Sequence, residues 1–79
     1  MAEDSQRSVE LVEFIARSIV TEADEVRVEA KDGGALIELE TAPDDRGRVI
    51  GRQGRVAKAM RAVLAASATG DDARLDIVD

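Results

Sequence analysis

The feature that most restricts the fold of this chain is a Gly-x-x-Gly turn that joins two amphipathic segments. Gly51 and Gly54 enclose Arg52 and Gln53, and a glycine at each end of a four-residue turn permits φ values that are closed to other residues. Because the pattern from Arg55 onward is helical, the turn lies at a helix N-terminus, where unpaired N–H groups and the helix dipole favour a phosphate. The segment therefore predicts a binding site for a phosphate backbone.

Basic residues surround this turn, although the chain as a whole is acidic. The 79 residues include 11 Lys and Arg and 17 Asp and Glu, for a net charge of −6. Residues 46–61 hold six of the basic residues and no acidic one, so the other 63 residues carry 5 basic and 17 acidic groups. Such segregation favours binding of an anion at the basic segment. The alternative interpretation is that these residues form a solvated helix face without a ligand. The six residues are Arg46, Arg48, Arg52, Arg55, Lys58 and Arg61.

The absence of Cys and His from the sequence argues against an enzyme, a metal site or a cofactor. His is the commonest general base and metal ligand, and Cys is needed for thiol-ligand sites and disulfides. The adjacent carboxylates Asp44 and Asp45, like Asp71 and Asp72, are explained better as turn and cap residues. The glycine turn also lacks the Gly-Lys-Ser/Thr ending of a nucleotide-triphosphate loop. We therefore expect no catalytic residue, no cofactor and no small-molecule substrate.

Nothing in the sequence predicts export or membrane insertion. The N-terminus is acidic and polar, unlike a signal peptide, and no apolar run approaches the length of a membrane span. We therefore expect a cytoplasmic protein that has no membrane partner.

An amphipathic helix is predicted from about Arg7 to near Thr21, because apolar residues recur there at three- and four-residue steps. Phe14, the one aromatic residue of the chain, lies on this helix and is predicted to join the core. Residues 1–6 are expected to be a flexible end that precedes a single domain of residues 7–79. The candidate N-terminal caps are Ser5 and Ser8.

Alternating apolar and polar residues predict a three-stranded sheet. Residues 26–31 and 35–40 alternate on either side of Asp32-Gly33-Gly34, which is typical of an antiparallel hairpin. Residues 74–78 alternate in the same way and predict a short closing strand. The long connection between the second and third strands permits these two to be parallel.

Two helices flank the glycine turn in this interpretation. A short helix at residues 45–50 is predicted to be capped by Asp44 or Asp45, and a longer one follows the turn and ends near Gly70. The order α-β-β-α-α-β predicts an α+β fold, with the helices packed on one face of the sheet. The residues assigned to the buried face of the last helix are Val56, Ala57, Met60, Val63, Leu64 and Ser67.

The segment around the turn resembles the core of a KH domain. Residues 49–58 place Val-Ile before Gly-x-x-Gly and a basic amphipathic helix after it; in KH domains this loop joins two helices and clamps about four nucleotides of single-stranded RNA or DNA. The element order resembles the type II arrangement of bacteria, and the likeness covers roughly residues 9–78. Leu11-Val12-Glu13-Phe14-Ile15-Ala16 and Gly47 to Arg55 resemble the small stand-alone proteins of the bacterial KhpA family.

The resemblance implies a role for each residue near the loop. The backbone of residues 51–54 would contact the sugar-phosphate chain and turn the bases toward a groove, whose other wall would be backbone groups of the second strand, around Ile37 to Leu39. Val49, Ile50 and Val56 remain open between groove and core, with the core favoured for Ile50 and Val56. The pattern does not determine whether the side chains of Arg48 and Arg61 point toward the loop. The candidate RNA-binding residues are Gly51, Arg52, Gln53, Gly54, Arg55, Lys58, Val49, Ile50 and Arg48.

A site of this composition predicts weak binding by one domain. With Phe14 assigned to the core, no aromatic side chain is left to stack on bases, a contact worth about 1–3 kcal/mol per base. We therefore expect micromolar or weaker affinity, marked salt sensitivity and a need for a second module. The resemblance implies an RNA chaperone or regulator that forms a homodimer, or a heterodimer with a larger KH-containing protein of the KhpB type. The alternatives are a protein-interaction module with a KH-like fold and a binder of single-stranded DNA.

Overall fold

The order of helices and strands agrees with the sequence prediction. The computed structural model of the chain describes residues 2–66 and 73–78, and within these ranges the order is α-β-β-α-α-β. None of the described helices has the length and apolar character that crossing a membrane requires. The elements are α1 (Ala2–Ile19), β1 (Arg27–Lys31), β2 (Leu36–Glu40), α2 (Arg46–Ile50), α3 (Arg55–Ala66) and β3 (Arg74–Val78).

The first helix begins earlier than the sequence predicts. It starts at Ala2 rather than near Arg7, since residues 2–6 contain neither Gly nor Pro to interrupt a helix. Ser5 and Ser8 therefore lie inside the helix and are not caps, and Ser8 is buried. Residues 2–6 are helical, while the division into a flexible end and a domain of residues 7–79 stays a prediction.

The three strands form one mixed sheet in the order β1-β2-β3. The β1–β2 pair is antiparallel, with Ala30 opposite Ile37, and the β2–β3 pair is parallel, with Ile37 opposite Leu75. A 3-10 turn at Asp32–Gly34 closes the hairpin, with φ of 54° at Asp32 and 68° at Gly33. The hairpin and the parallel crossover are both confirmed.

The core lies between one face of this sheet and the three helices. Met60 and Leu64 of α3 are buried as predicted, but Val63 is 45 % exposed because it lies at the edge of the helix face rather than on it. The predictions for Ser67, Gly70, Asp71 and Asp72 fall outside the described residues. The buried cluster consists of Val12, Ala16, Val26, Ile37, Leu39, Val49, Met60, Leu64 and Leu75.

The assignment of Phe14 to the core is wrong. Its exposed fraction is 72 %, whereas Val12 and Ala16 on the same helix are 1 % and 0 % exposed. A step of two residues turns a helix by roughly 200°, so Phe14 lies opposite the face that packs on the sheet. Its position next to an apolar stripe in the sequence does not place it on the buried face.

Candidate nucleic-acid interface

The Gly-x-x-Gly loop connects α2 to α3 through a 3-10 turn at Arg52–Gly54. Three of its four residues have positive φ: 79° at Gly51, 59° at Gln53 and 74° at Gly54. Glycine adopts these values without the steric penalty that other residues meet. The conformation thus explains why the two glycines occupy the ends of the turn.

Internal hydrogen bonds use some of the N–H groups that the sequence assigns to a ligand. The N–H of Gly51 donates back into α2, that of Gly54 donates to the C=O of Gly51 at 3.0 Å, and that of Arg55 donates to the C=O of Arg52. Within residues 2–66 and 73–78, neither the N–H of Arg52 nor that of Gln53 donates to a backbone acceptor in a turn, loop or cap. These two donors are the loop N–H groups available to an anion.

Close packing against α3 makes a glycine indispensable at position 51. A Cβ added to Gly51 would lie 2.5 Å from Cγ2 and 2.7 Å from the backbone N of Val56. A Cβ on Gly54 would meet no heavy atom within 4 Å. The first glycine therefore allows α3 to approach the loop, whereas the second only supplies a left-handed backbone.

The basic side chains beside the loop are exposed. Arg52, Arg55 and Lys58 are all exposed, and within the described residues none of them forms a salt bridge. The Arg55 guanidinium is 3.4 Å from Oε1 of Gln53, a long contact between exposed groups. No group of three His, Cys, Asp or Glu side chains in this part of the structure is arranged to hold a metal ion. The surface around the loop is thus suited to an anion.

Arg48 forms an ion pair with Asp45, the residue that precedes α2. Its Nε lies 3.4 Å from Oδ1 of Asp45, whose side chain is fully buried. The Asp45 carboxylate also accepts hydrogen bonds from Thr21 and Glu22 and makes no side-chain cap on α2. The prediction of a capping role for Asp45 is therefore wrong, because its oxygens are directed to the α1–β1 connection instead.

The apolar residues next to the loop divide between core and surface. Val49 is 0 % exposed and belongs to the core cluster, and Val56 is half-buried and packs against that cluster. The sequence-based preference for a core position is wrong for Ile50, whose exposed fraction is 37 %. Ile50 is therefore the apolar side chain that the structure leaves beside the turn.

The backbone of β2 cannot form the wall of a binding groove, contrary to the expectation for Ile37 to Leu39. The strand lies in the middle of the sheet and is paired on both sides. The N–H of Arg74 donates to the C=O of Ala35 at 2.8 Å, and because backbone groups alternate sides along a strand, those of Ile37 and Leu39 are directed to β3. The groups of β2 are therefore used within the sheet.

The outer edge of β3 has backbone groups that are not paired with β2. By the same alternation the backbone groups of Leu75 and Ile77 are directed away from β2. Nε of Arg61 donates to the C=O of Leu75 at 3.1 Å, so that carbonyl is occupied, whereas both backbone groups of Ile77 are directed outward. The sequence alone could not identify this edge, because alternation does not tell which strand is central.

Comparison with known proteins agrees with the fold. The family model described as "KhpA/KhpB, KH domain" matches residues 9–78. "RNA-binding protein KhpA" of Halalkalibacterium halodurans is 55 % identical over 73 residues, which cover 87 % of this chain and 96 % of the relative.

Two further relatives carry the same name. The protein of Leifsonia xyli subsp. xyli is 46 % identical over 82 % of this chain and 88 % of its own length. That of Mycobacterium bovis is 44 % identical over 90 % of each. No solved structure shows significant similarity to the chain. The family model matches residues 9–78, and the match to the relative from Halalkalibacterium halodurans covers 96 % of that protein. The chain therefore belongs to the KhpA/KhpB family of KH domains.

Proposed function

We propose that this protein binds single-stranded RNA through the loop of residues 51–54. The observation that carries the proposal is the combination of two uncommitted N–H groups, of Arg52 and Gln53, with exposed basic side chains at one helix start. Backbone donors and mobile cations together suit the phosphate groups of a flexible strand. The relatives named RNA-binding protein make RNA the first ligand to test.

The remaining site residues have graded roles in this proposal. Arg55 and Lys58 neutralise phosphates on the α3 side, Ile50 contacts a base or sugar, and Val49 supports the loop from the core. Arg48 contributes less, because its guanidinium already faces Asp45. The bases lie toward the outer edge of β3, where Ile77 presents backbone groups. Backbone contacts of this kind give a modest sequence preference.

Weak binding by one domain calls for a second module. Phe14 is exposed, but on the face of α1 that is turned away from the sheet, and the described surface offers no other aromatic ring for stacking. We propose that affinity is raised by pairing, as a homodimer or with a larger KH-containing protein of the KhpB type, since linked sites bind with a higher effective concentration. The role as an RNA chaperone or regulator and the cytoplasmic location stay predictions.

The proposal is tested by titrating a labelled pool of short single-stranded RNA and following fluorescence anisotropy. The variant Arg52→Asp/Gln53→Asp should lose binding, whereas Gln6→Asp/Arg7→Asp, the same residue types changed on the exposed part of α1, should retain most of it. Circular dichroism establishes that all three proteins are folded. Equal loss in both variants would mean that only net charge matters and would contradict a loop clamp.

Salt and competitor strands separate the alternatives. The logarithm of the affinity should fall linearly with the logarithm of the salt concentration, with a slope that reflects roughly 0.7 per phosphate contacted on a single strand. If single-stranded DNA of the same sequence displaces the labelled RNA at equal concentration, the hypothesis of a single-stranded DNA binder is favoured. No binding by the wild type at low salt would favour the protein-interaction module.

A further inference from the structure

The outer edge of β1 presents a row of backbone groups that the sheet does not use. Because the groups of Ile37 are directed to β3, those of its neighbours Leu36 and Glu38 are directed to β1. Their hydrogen-bonded partners on β1 are Lys31 and Glu29. It follows that the N–H and C=O groups of the alternate residues, Val28 and Ala30, are directed away from the sheet. An open edge of this kind is a template for pairing with another strand.

The charges along this edge are antisymmetric about Val28. Arg27 precedes it and Glu29 follows it at equal distance, whereas Lys31 at the end of the strand is already paired with Glu38 at 3.0 Å. An edge that is protected from pairing by charge normally repels a second copy of itself. Here an antiparallel second copy, centred on Val28, would bring each Arg27 opposite a Glu29. The edge is thus electrostatically complementary to itself.

Hydrogen-bond geometry permits this alignment, and charge distinguishes it from the pair centred on Glu29, which would place Glu29 opposite Glu29 and Arg27 opposite Lys31. In an antiparallel pair, two directly opposed residues that face each other exchange both backbone bonds. Centring the pair on Val28 lets Val28 exchange bonds with Val28 of the second copy, and lets the N–H of Ala30 donate to the C=O of Val26. The N–H of Val26 is already donated to Ala23, and this alignment does not require it. An alignment shifted by one residue would oppose groups that are directed into the sheet.

The surface beside β1 is concave. A cavity of about 440 Å³ is lined by Val26, Arg27, Val28 and Glu29 together with Glu13 of α1, and it continues to Glu38, Glu40 and Val78 of the neighbouring strands. The side chains of Val28 and Ala30 pack against the core cluster but remain half-buried. A neighbouring strand would cover this apolar margin.

We propose that two copies of this chain associate through antiparallel pairing of their β1 strands about Val28. The two sheets would join into one six-stranded sheet, β3-β2-β1-β1-β2-β3, with all helices on one face. At a strand spacing of about 4.8 Å the two β3 edges would lie roughly 24 Å apart, so the two loops would be at opposite ends of one platform. The inference gives an interface to the self-association proposed above and does not depend on RNA binding.

The test is a charge-swap series read by sedimentation equilibrium at protein concentrations up to the millimolar range. In Arg27→Glu alone and in Glu29→Arg alone, both cross-copy pairs become repulsive. Each variant should therefore raise the homodimer dissociation constant roughly 10-fold or more. The double variant Arg27→Glu/Glu29→Arg restores opposite charges and should recover dimerisation. An equimolar mixture of the two single variants should also dimerise, because both pairs are then attractive.

Controls keep the result interpretable. Arg27→Glu places a like charge opposite Glu40 of β2, so folding is checked by circular dichroism; Glu29→Arg faces Glu38 and carries the test if the first variant unfolds. Anisotropy with the RNA pool is measured on diluted, monomeric protein and should be unchanged in all variants, which separates this interface from the loop. A wild type that is monomeric at millimolar concentration, or single variants that dimerise as well as the wild type, would overturn the proposal.

Discussion

The buried carboxylate of Asp45 accepts two hydrogen bonds from Thr21, one from its backbone N–H at 3.0 Å and one from its hydroxyl at 2.9 Å. A third comes from the N–H of Glu22 at 3.0 Å. These contacts join the end of α1 to the start of α2, across more than twenty residues of sequence. Because α2 leads directly into the glycine loop, Asp45 fixes the position of the loop relative to the body of the domain.

Replacing Asp45 with Asn should destabilise the fold. An amide offers one oxygen where the carboxylate offers two, so one part-buried N–H of Thr21 or Glu22 would face an NH₂ group and lose its acceptor. For a domain of this size we expect the melting temperature to fall by roughly 5–15 °C, measured by circular dichroism. The matched control is Asp44→Asn, an exposed neighbour that should melt like the wild type. Equal melting of both variants would contradict the assigned role.

The contribution of Asp45 should depend on pH in a defined direction. Chiefly the backbone N–H of Thr21, helped by its hydroxyl, by Glu22 and by Arg48, holds the pKa of the Asp45 carboxyl below its ordinary value of 3.8, against the opposing effect of burial. A group with a lowered pKa in the folded state stabilises the fold above its ordinary pKa, and that stabilisation is lost as the pH falls through the folded-state pKa.

The free energy of unfolding of the wild type should therefore exceed that of Asp45→Asn by a constant amount above about pH 5, and the difference should shrink below about pH 4. Urea titrations of both proteins between pH 3 and pH 7 measure it. A difference that grows on acidification would have the wrong sign for a lowered pKa. Asp44→Asn again serves as the control, compared with the wild type over the same range.

Truncating Phe14 distinguishes the structure from the sequence-based assignment. A core aromatic residue replaced by Ala loses about 3–5 kcal/mol, whereas a surface change stays within about 0.5 kcal/mol. With 72 % of Phe14 exposed, we expect Phe14→Ala to unfold at nearly the same urea concentration as the wild type. Val12→Ala, on the buried face of the same helix, should be clearly destabilised. Comparable losses in both variants would contradict the exposed position.

The order of elements was predictable because short-range patterns carry it. Alternation over residues 26–31 and 35–40, with Asp32-Gly33-Gly34 between them, specifies a hairpin regardless of the rest of the chain. The loop was predictable for the same reason, since only glycine suits the backbone at Gly51. These features depend on neighbours in sequence.

What the sequence did not predict depends on contacts between distant residues. Asp45 next to Pro43 and Asp44 has the pattern of a helix cap, and only the fold brings Thr21 to its carboxylate. The central position of β2 follows from which side β3 joins, and periodicity contains no such information. Phe14 shows the limit of periodicity itself, because one aromatic residue beside an apolar stripe does not reveal how wide the buried face is.

The two loop glycines should respond differently to the same substitution. In Gly51→Ala the new Cβ meets the backbone N and the side chain of Val56, and φ of 79° with ψ of 168° belongs to a region that is essentially restricted to glycine. Strain and overpacking together should lower the free energy of unfolding by roughly 2–5 kcal/mol. In Gly54→Ala only the left-handed φ of 74° opposes the new side chain, so the loss should be about 1–2 kcal/mol. Urea unfolding of both variants measures the difference. Equal losses would mean that the loop relaxes around Val56, and a larger loss in Gly54→Ala would contradict the packing described for Gly51.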